Sequence, residues 1–256
     1  MKLALCFSGQ ARTFKRCFEN LRKNILSKYE CDIFVHTWIY DGYNPGVFGF
    51  WCKEYEPDQY DLGLKEDRII DGDIFKMYHP KKIIVESPDR KFFEKKVKKN
   101  TGYKEEFFNS LMMYYGIYKS NDLKKQYEQE RGFKYDCVLR CRFDTQFEQF
   151  HIMHKYLKNN TIILPPNENV GQTFSDPMKR GMRKSGISFM SNDQFAYGSS
   201  EAMDFYSEAY NGYFDETKHY PNHPEGVLSH HIFRENKNYP VIVNPKVKIF
   251  IERKFN

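Results

Sequence analysis

The chain has 256 residues, of which 40% are hydrophobic and 17% aromatic, with a formal charge of +6 and a pI near 8.8. That composition carries enough apolar material for a sizeable core and excludes a disordered chain, and the length fits one large domain or two small ones. The positive excess is mild and interleaved with acids, so it suits an anionic small molecule or a weak pull toward an anionic membrane surface, and no nucleic-acid partner is expected.

Residues 2–8 open the chain as a strand buried on both faces, because Leu3, Ala4, Leu5, Cys6 and Phe7 run without alternation. Ser8-Gly9-Gln10 follows as a turn, and Phe14, Cys17, Phe18, Leu21 and Ile25 mark one face of a helix over 11–27. Arg12, Lys15 and Arg16 fall in its first turns, where the helix dipole prefers acids. Cations there suit an anion bound at that end, with Gly9 letting the backbone come close; the plainer reading has them facing solvent. Residues 31–38 form a second buried strand and complete a β-α-β unit, which places the two strands parallel and adjacent. His36 within it reads as a packed histidine. Residues 40–70 are loop-rich, with no dominant period.

A third strand is expected at 81–86, and the lysine-rich stretch 91–99 reads as an exposed helix or loop. Residues 104–130 hold the longest helical pattern, with Phe107, Leu111, Tyr114, Tyr115 and Tyr118 on the core side and Gly132 as the stop. Lys124, Lys125, Glu128 and Glu130 are assigned to its wet face, and the Met112–Tyr115 cluster to the core. Residues 135–144 then begin as a strand and end in charge. Strand alternation puts Arg140, Arg142 and Asp144 on one face and Leu139, Cys141 and Phe143 on the other. Two guanidiniums and a carboxylate at the C-terminal end of a buried strand suit a diphosphate with a divalent metal; the alternative is an ion pair tying strand to loop.

Residues 161–164 give a further strand, closed by Pro165-Pro166. Residues 166–190 read as a mobile loop carrying Lys179, Arg180, Arg183 and Lys184, either a cationic lid over a phosphate-bearing ligand or a solvated basic loop. Asp193 stands at the mouth of a short strand, 195–198, as a general base, a hydroxyl anchor or a turn residue. Ser199 or Ser200 caps a helix over 201–210. A helix over 226–234 follows Glu225 and holds His230 and His231, of which one at most can face a site. Residues 239–252 finish as strand material broken at Asn244-Pro245.

The six cysteines form no CxxC pair and sit in apolar runs, so they read as reduced thiols. The apolar run at the start is shorter than a signal-peptide core, and no stretch approaches the ~20 apolar residues of a membrane span. A cytoplasmic chain of one domain, 1–256, is expected, with peripheral association at a membrane as a possibility the charge allows.

Several segments together resemble a known group: CFSGQAR (6–12), DIFVHTW (32–38), MMYYGIYKSNDLK (112–124), YDCVLRCRFD (135–144), SNDQFAYGS (191–199) and PEGVLSHHI (224–232). The chain resembles the small glycosyltransferases of bacterial and large-virus polysaccharide synthesis, including the WavE-like group. The resemblance implies a GT-A fold, a single α/β Rossmann-like domain with a mixed, mostly parallel sheet flanked by helices. It implies a nucleotide-sugar donor as co-substrate, a surface-glycan acceptor and a divalent cation, Mn²⁺ or Mg²⁺. In GT-A enzymes a DxD motif holds that cation. Here its place is taken by Arg142-Phe143-Asp144, so Asp144 is the remaining ligand and Arg142 neutralises phosphate directly. A late histidine contacts the metal in many members, and His230 or His231 lies in that region. Ser8, Gly9, Gln10, Arg12, Arg140 and Arg142 are the expected donor-binding residues, and Asp193, then Glu225, the expected acceptor base. The competing readings are a sugar nucleotidyltransferase, which calls for a richer glycine loop than CFSGQAR, and a non-catalytic nucleotide- or glycan-binding module.

Overall fold

The unbroken apolar run near the start becomes the strand about which a seven-stranded sheet is ordered. The computed structural model describes residues 1–11, 13–39, 72–87, 104–166, 191–214 and 224–252, with backbone alone at 104–107, 109 and 149. Arg12, the loop expected at 40–70, the charged stretch 91–99 and the basic loop at 167–190 lie outside the described residues.

Strand β1 spans Leu3–Gly9, β2 Cys31–Trp38, β3 Lys82–Glu86 and β4 Cys137–Cys141. Strand β5 spans Thr145–Gln149, β6 Ile162–Leu164, β7 Ala196–Gly198, β8 Val241–Val243 and β9 Lys248–Ile251. The large sheet has the order β3-β2-β1-β4-β7-β6-β8, and β5 with β9 forms a separate two-stranded sheet. Strands β1 to β4 run parallel, β7 is antiparallel to both neighbours, and β8 is parallel to β6. The fold is thus α/β with a mixed, mostly parallel sheet, compatible with a Rossmann-like domain.

Helix α1 (Phe14–Leu21) continues into a wider turn at Arg22–Leu26, and α2 is Asp73–Tyr78. Helix α3 spans Lys104–Arg131, α4 His154–Leu157, α5 Ser200–Ser207 and α6 Pro224–His230. A 3₁₀ segment, Glu208–Phe214, extends α5, and a wider turn, His231–Glu235, extends α6. Gly132 stops α3 at φ +67°, a left-handed conformation glycine adopts without steric cost. Ser199 caps α5, its hydroxyl accepting from the Ala202 N–H at 3.3 Å.

Alternate residues of the buried strands feed two cores. Ala4, Cys6, Phe34 and Val138 pack under α3, α5 and α6, while Leu5, Phe7, Val35, Leu139 and Cys141 pack under α1, α2 and the small sheet. Phe7 stacks on Phe143 at 5.2 Å and meets Tyr78 edge-on at 5.1 Å, joining β1, the end of β4 and α2. Cys6, Cys17, Cys31, Cys137 and Cys141 are free thiols. Among the described residues no helix is long and apolar enough to cross a membrane.

Two expectations are corrected. Lys124 and Glu128, assigned to the wet face of α3, are 0% and 1% exposed. Helix α3 is covered by the sheet on one side and α5 on the other, so a second face is buried. The charges there are satisfied together: Lys124 Nζ donates to Ser200 Oγ at 2.6 Å, Asp204 Oδ1 at 2.7 Å and Glu128 Oε2 at 3.2 Å. Glu128 also accepts from the Tyr135 N–H at 2.9 Å, which fixes the approach to β4. Second, the strand expected over 135–144 ends at Cys141. A turn closed by the Thr145 N–H on the Arg142 carbonyl redirects the chain into β5, and the Asp144 carbonyl accepts from the Glu252 N–H at 2.8 Å. Asp144 therefore leaves the face that carries Arg140.

Candidate functional site

The strand order defines where a ligand can sit. From β1 the chain steps outward to β2 and β3, then returns to β4 on the other side of β1. Open α/β sheets bind ligands beyond the C-terminal ends of the strands at such a reversal. Here those ends are Ser8-Gly9-Gln10 and Arg140-Cys141-Arg142.

Gly9 has φ +111°, a conformation side-chain-bearing residues rarely adopt, and among the described residues a Cβ built there meets nothing within 4 Å. The glycine is required by the backbone path. Its carbonyl is pinned by the Thr37 hydroxyl at 2.9 Å. Ser8 and Gln10 are 2% and 8% exposed. Ser8 faces α3 where Gly116 passes close: a Cβ on Gly116 would lie 3.4 Å from that of Ser8 and 3.1 Å from His36 Nδ1. His36 is a packed histidine, fully buried, with Nε2 3.0 Å from Glu86 Oε1.

Arg140, Arg142 and Asp144 meet this edge in different ways. Arg140 lies opposite Cys6 of β1 and Ala196 of β7 and is 2% exposed. One terminal nitrogen donates to the Gln194 carbonyl, while among the described residues Nε and Nη2 have no hydrogen-bond partner. Arg142 is partly exposed and grips Asp144 with two parallel bonds, Nε to Oδ1 at 2.8 Å and Nη2 to Oδ2 at 2.7 Å. Asp144 is within electrostatic reach of Cys17 and Tyr78 on the α1 side, as the turn after Cys141 requires.

Asp193 reaches the same edge from the segment before β7. Asn192 closes a short turn there, its side-chain oxygen accepting from the Gln194 N–H at 2.9 Å. The Ser191 N–H donates to Ser229 Oγ at 2.7 Å, and that hydroxyl donates to the Glu225 carbonyl at 2.7 Å, stitching the segment to α6. The Tyr114 hydroxyl holds the Pro224 carbonyl at 2.8 Å, tying α6 to α3. These bonds bring Asp193 and Glu225 into mutual reach although 32 positions separate them. Asp193 is 7% exposed, and its pKa is pushed up to about 6, chiefly by burial and then by Glu225, with Arg140 and Arg142 pulling the other way. A buried carboxylate that ionises near neutrality is suited to accept a proton.

The histidines are placed otherwise. His231 stacks on Phe205 at 4.2 Å, with Nε2 2.7 Å from the Phe205 carbonyl and Nδ1 3.3 Å from Glu235. His230 Nδ1 lies 3.3 Å from the other Glu235 oxygen. A divalent ion needs several oxygen or nitrogen ligands at once. Both Asp144 oxygens face Arg142, and among the described residues no three His, Cys, Asp or Glu side chains gather as a ligand set. As arranged, these residues do not fit such an ion.

Ser191, Ser229, Gln194 and Glu252 are not singled out by the sequence, and Tyr114 reads there as core packing alone. All act through pairings between distant segments, which leave no local pattern. No protein-family model and no curated protein matches the chain.

Proposed function

We propose that the protein is a GT-A-type glycosyltransferase that moves a sugar from a nucleotide-sugar donor to the hydroxyl of a surface-glycan acceptor. The observation that carries this reading is the convergence at the sheet's reversal point of a glycine turn, a partly exposed arginine and a buried carboxylate of raised proton affinity. The donor diphosphate lies over Gly9, where the backbone allows close approach, and Arg142 turns from Asp144 to the phosphate oxygens as negative charge develops. Asp193 takes the proton of the acceptor hydroxyl. The acceptor oxygen then forms its bond to the sugar's anomeric carbon while the bond to the diphosphate breaks. The nucleoside diphosphate leaves with that electron pair, an inverting displacement. Glu225, close to Asp193, raises its affinity for the proton it receives.

The test is a thermal-shift panel of UDP-, GDP- and CDP-sugars, with and without Mn²⁺, followed by product analysis of the donor that binds. Binding to the folded state raises the melting temperature by mass action. One donor family is expected to stabilise wild type and Asp193→Asn alike, with transfer lost only in the variant. Stabilisation without turnover in wild type under any acceptor condition points instead to a binding module.

A further inference from the structure

We propose that the cation Asp144 presents to the donor diphosphate is the Arg142 guanidinium, and that Asp144 binds no divalent ion. The inference rests on the sugar-nucleotide site proposed above and departs from the metal that the GT-A resemblance implies. Asp144 is 1% exposed, so its carboxylate is held out of water and needs a fixed counter-charge. Arg142 supplies it to both oxygens at once, Nε to Oδ1 at 2.8 Å and Nη2 to Oδ2 at 2.7 Å. Two parallel bonds from one planar fork are among the strongest contacts a carboxylate makes.

The fold itself sets the two side chains together. Strand β4 ends at Cys141, and the Thr145 N–H then closes a turn on the Arg142 carbonyl at 3.3 Å. The Glu252 N–H pins the Asp144 carbonyl at 2.8 Å, and the Thr13 hydroxyl pins the Glu252 carbonyl at 2.7 Å. Asp144 is thereby tied to the end of β9 and to the start of α1. Phe143, between the paired residues, stacks on Phe7 at 5.2 Å and holds the turn against β1. With its side chain 19% exposed against 2% for Asp144, the guanidinium is the outer member of the pair. A divalent ion on Asp144 needs these same oxygens, at ~2.0–2.6 Å. It meets a guanidinium already on them, and two cations on one carboxylate repel. Displacing Arg142 breaks two charge-assisted bonds where the carboxylate has little access to water. The late histidines lie elsewhere, each with Nδ1 3.3 Å from a Glu235 oxygen. A guanidinium matches phosphate oxygens as well as it matches a carboxylate, so Arg142 neutralises the charge of the departing diphosphate in the metal's place.

The experiment has two arms on the full chain. In the first, Mn²⁺ alone is titrated by calorimetry into wild type and Asp144→Asn. Equal binding, or none by either, is expected and supports the proposal; a ~10-fold or greater loss of Mn²⁺ affinity in the variant overturns it. In the second, UDP-, GDP- and CDP-sugars are titrated in EDTA and in Mn²⁺. The donor that binds is expected to do so within ~2-fold under both conditions, and ~10-fold or more weakly in Arg142→Ala. Binding that appears only with Mn²⁺, or an unchanged affinity in Arg142→Ala, overturns the proposal. If Asp144→Asn does not fold, this second arm decides. Failure of the transferase reading shows separately, as binding of no donor under either condition, and the Mn²⁺ comparison then still judges Asp144.

Discussion

Replacing Asp193 by asparagine is expected to make the fold more stable at neutral pH while abolishing transfer. The folded carboxyl titrates at about 6 against an ordinary 3.8, because it is buried beside Glu225. Below about pH 4 the group is protonated in the folded and largely in the unfolded chain, so it contributes little difference. As pH rises toward about 6 the unfolded chain releases the proton and the folded chain keeps it, so folding loses stability across that window. Above the folded midpoint the full penalty is present, about 3 kcal/mol at ~1.4 kcal/mol per pH unit. Asparagine has nearly the same shape and no charge, and it removes that penalty. Urea denaturation of wild type and Asp193→Asn between pH 4 and 8 reads it directly. The variant should match wild type at the acid end and gain up to ~3 kcal/mol at pH 7.5. A variant that is less stable than wild type at pH 7.5, or a gap that does not change with pH, refutes the argument that this carboxylate is held against its solvation.

Three further outcomes follow from the same structure. Lys124→Met removes the buried one of two cations shared by Glu128 and Asp204, leaving them the exposed Lys134, and it should cost about 3 kcal/mol by urea denaturation, the low end for a broken buried pair; a loss below ~1 kcal/mol contradicts the network's role. Gly9→Ala meets no neighbour among the described residues but must adopt φ +111°, so it should cost ~1–3 kcal/mol and weaken donor binding; unchanged stability would show that the turn relaxes freely. Arg142→Ala should raise the donor KM by ~10-fold or more and lower the melting temperature as well, since it leaves the buried Asp144 carboxylate without that guanidinium; an unchanged KM returns the Arg142–Asp144 pair to a purely structural tie.

Much of the fold was legible because the central strands are written as unbroken apolar runs. Residues 3–7, 33–35 and 137–139 could be buried in only one way, and the β-α-β order then placed the first two strands parallel and adjacent. Gly132 and Ser199 marked helix ends through their own backbone chemistry. Lys124 and Glu128 were not legible, because their placement depends on α5 covering a second face of α3, and no period within α3 records that. The same holds for Asp144. Alternation assumed a strand regular to Asp144, but the strand ends at Cys141, and the chain beyond it pairs with residues more than a hundred positions away, where the Glu252 N–H meets the Asp144 carbonyl. At the site, Gly9, Arg140 and Arg142 could be read as the charged and glycine-bearing ends of two strands. The meeting of Asp193 with Glu225 could not, since it depends on the Ser191–Ser229 bond and on Tyr114 holding the start of α6.

The account's central claim is that the reversal point between β1 and β4 binds a nucleotide-sugar and activates it for transfer. The most direct measurement is release of nucleoside diphosphate from UDP-, GDP- and CDP-sugars, with and without Mn²⁺, by wild type and by Arg142→Ala and Asp193→Asn. The account predicts release from donors of one base by wild type, a fall of ~10-fold or more in kcat/KM in Arg142→Ala, and retained donor binding with lost transfer in Asp193→Asn. No release and no binding with any of these donors under either metal condition would contradict it.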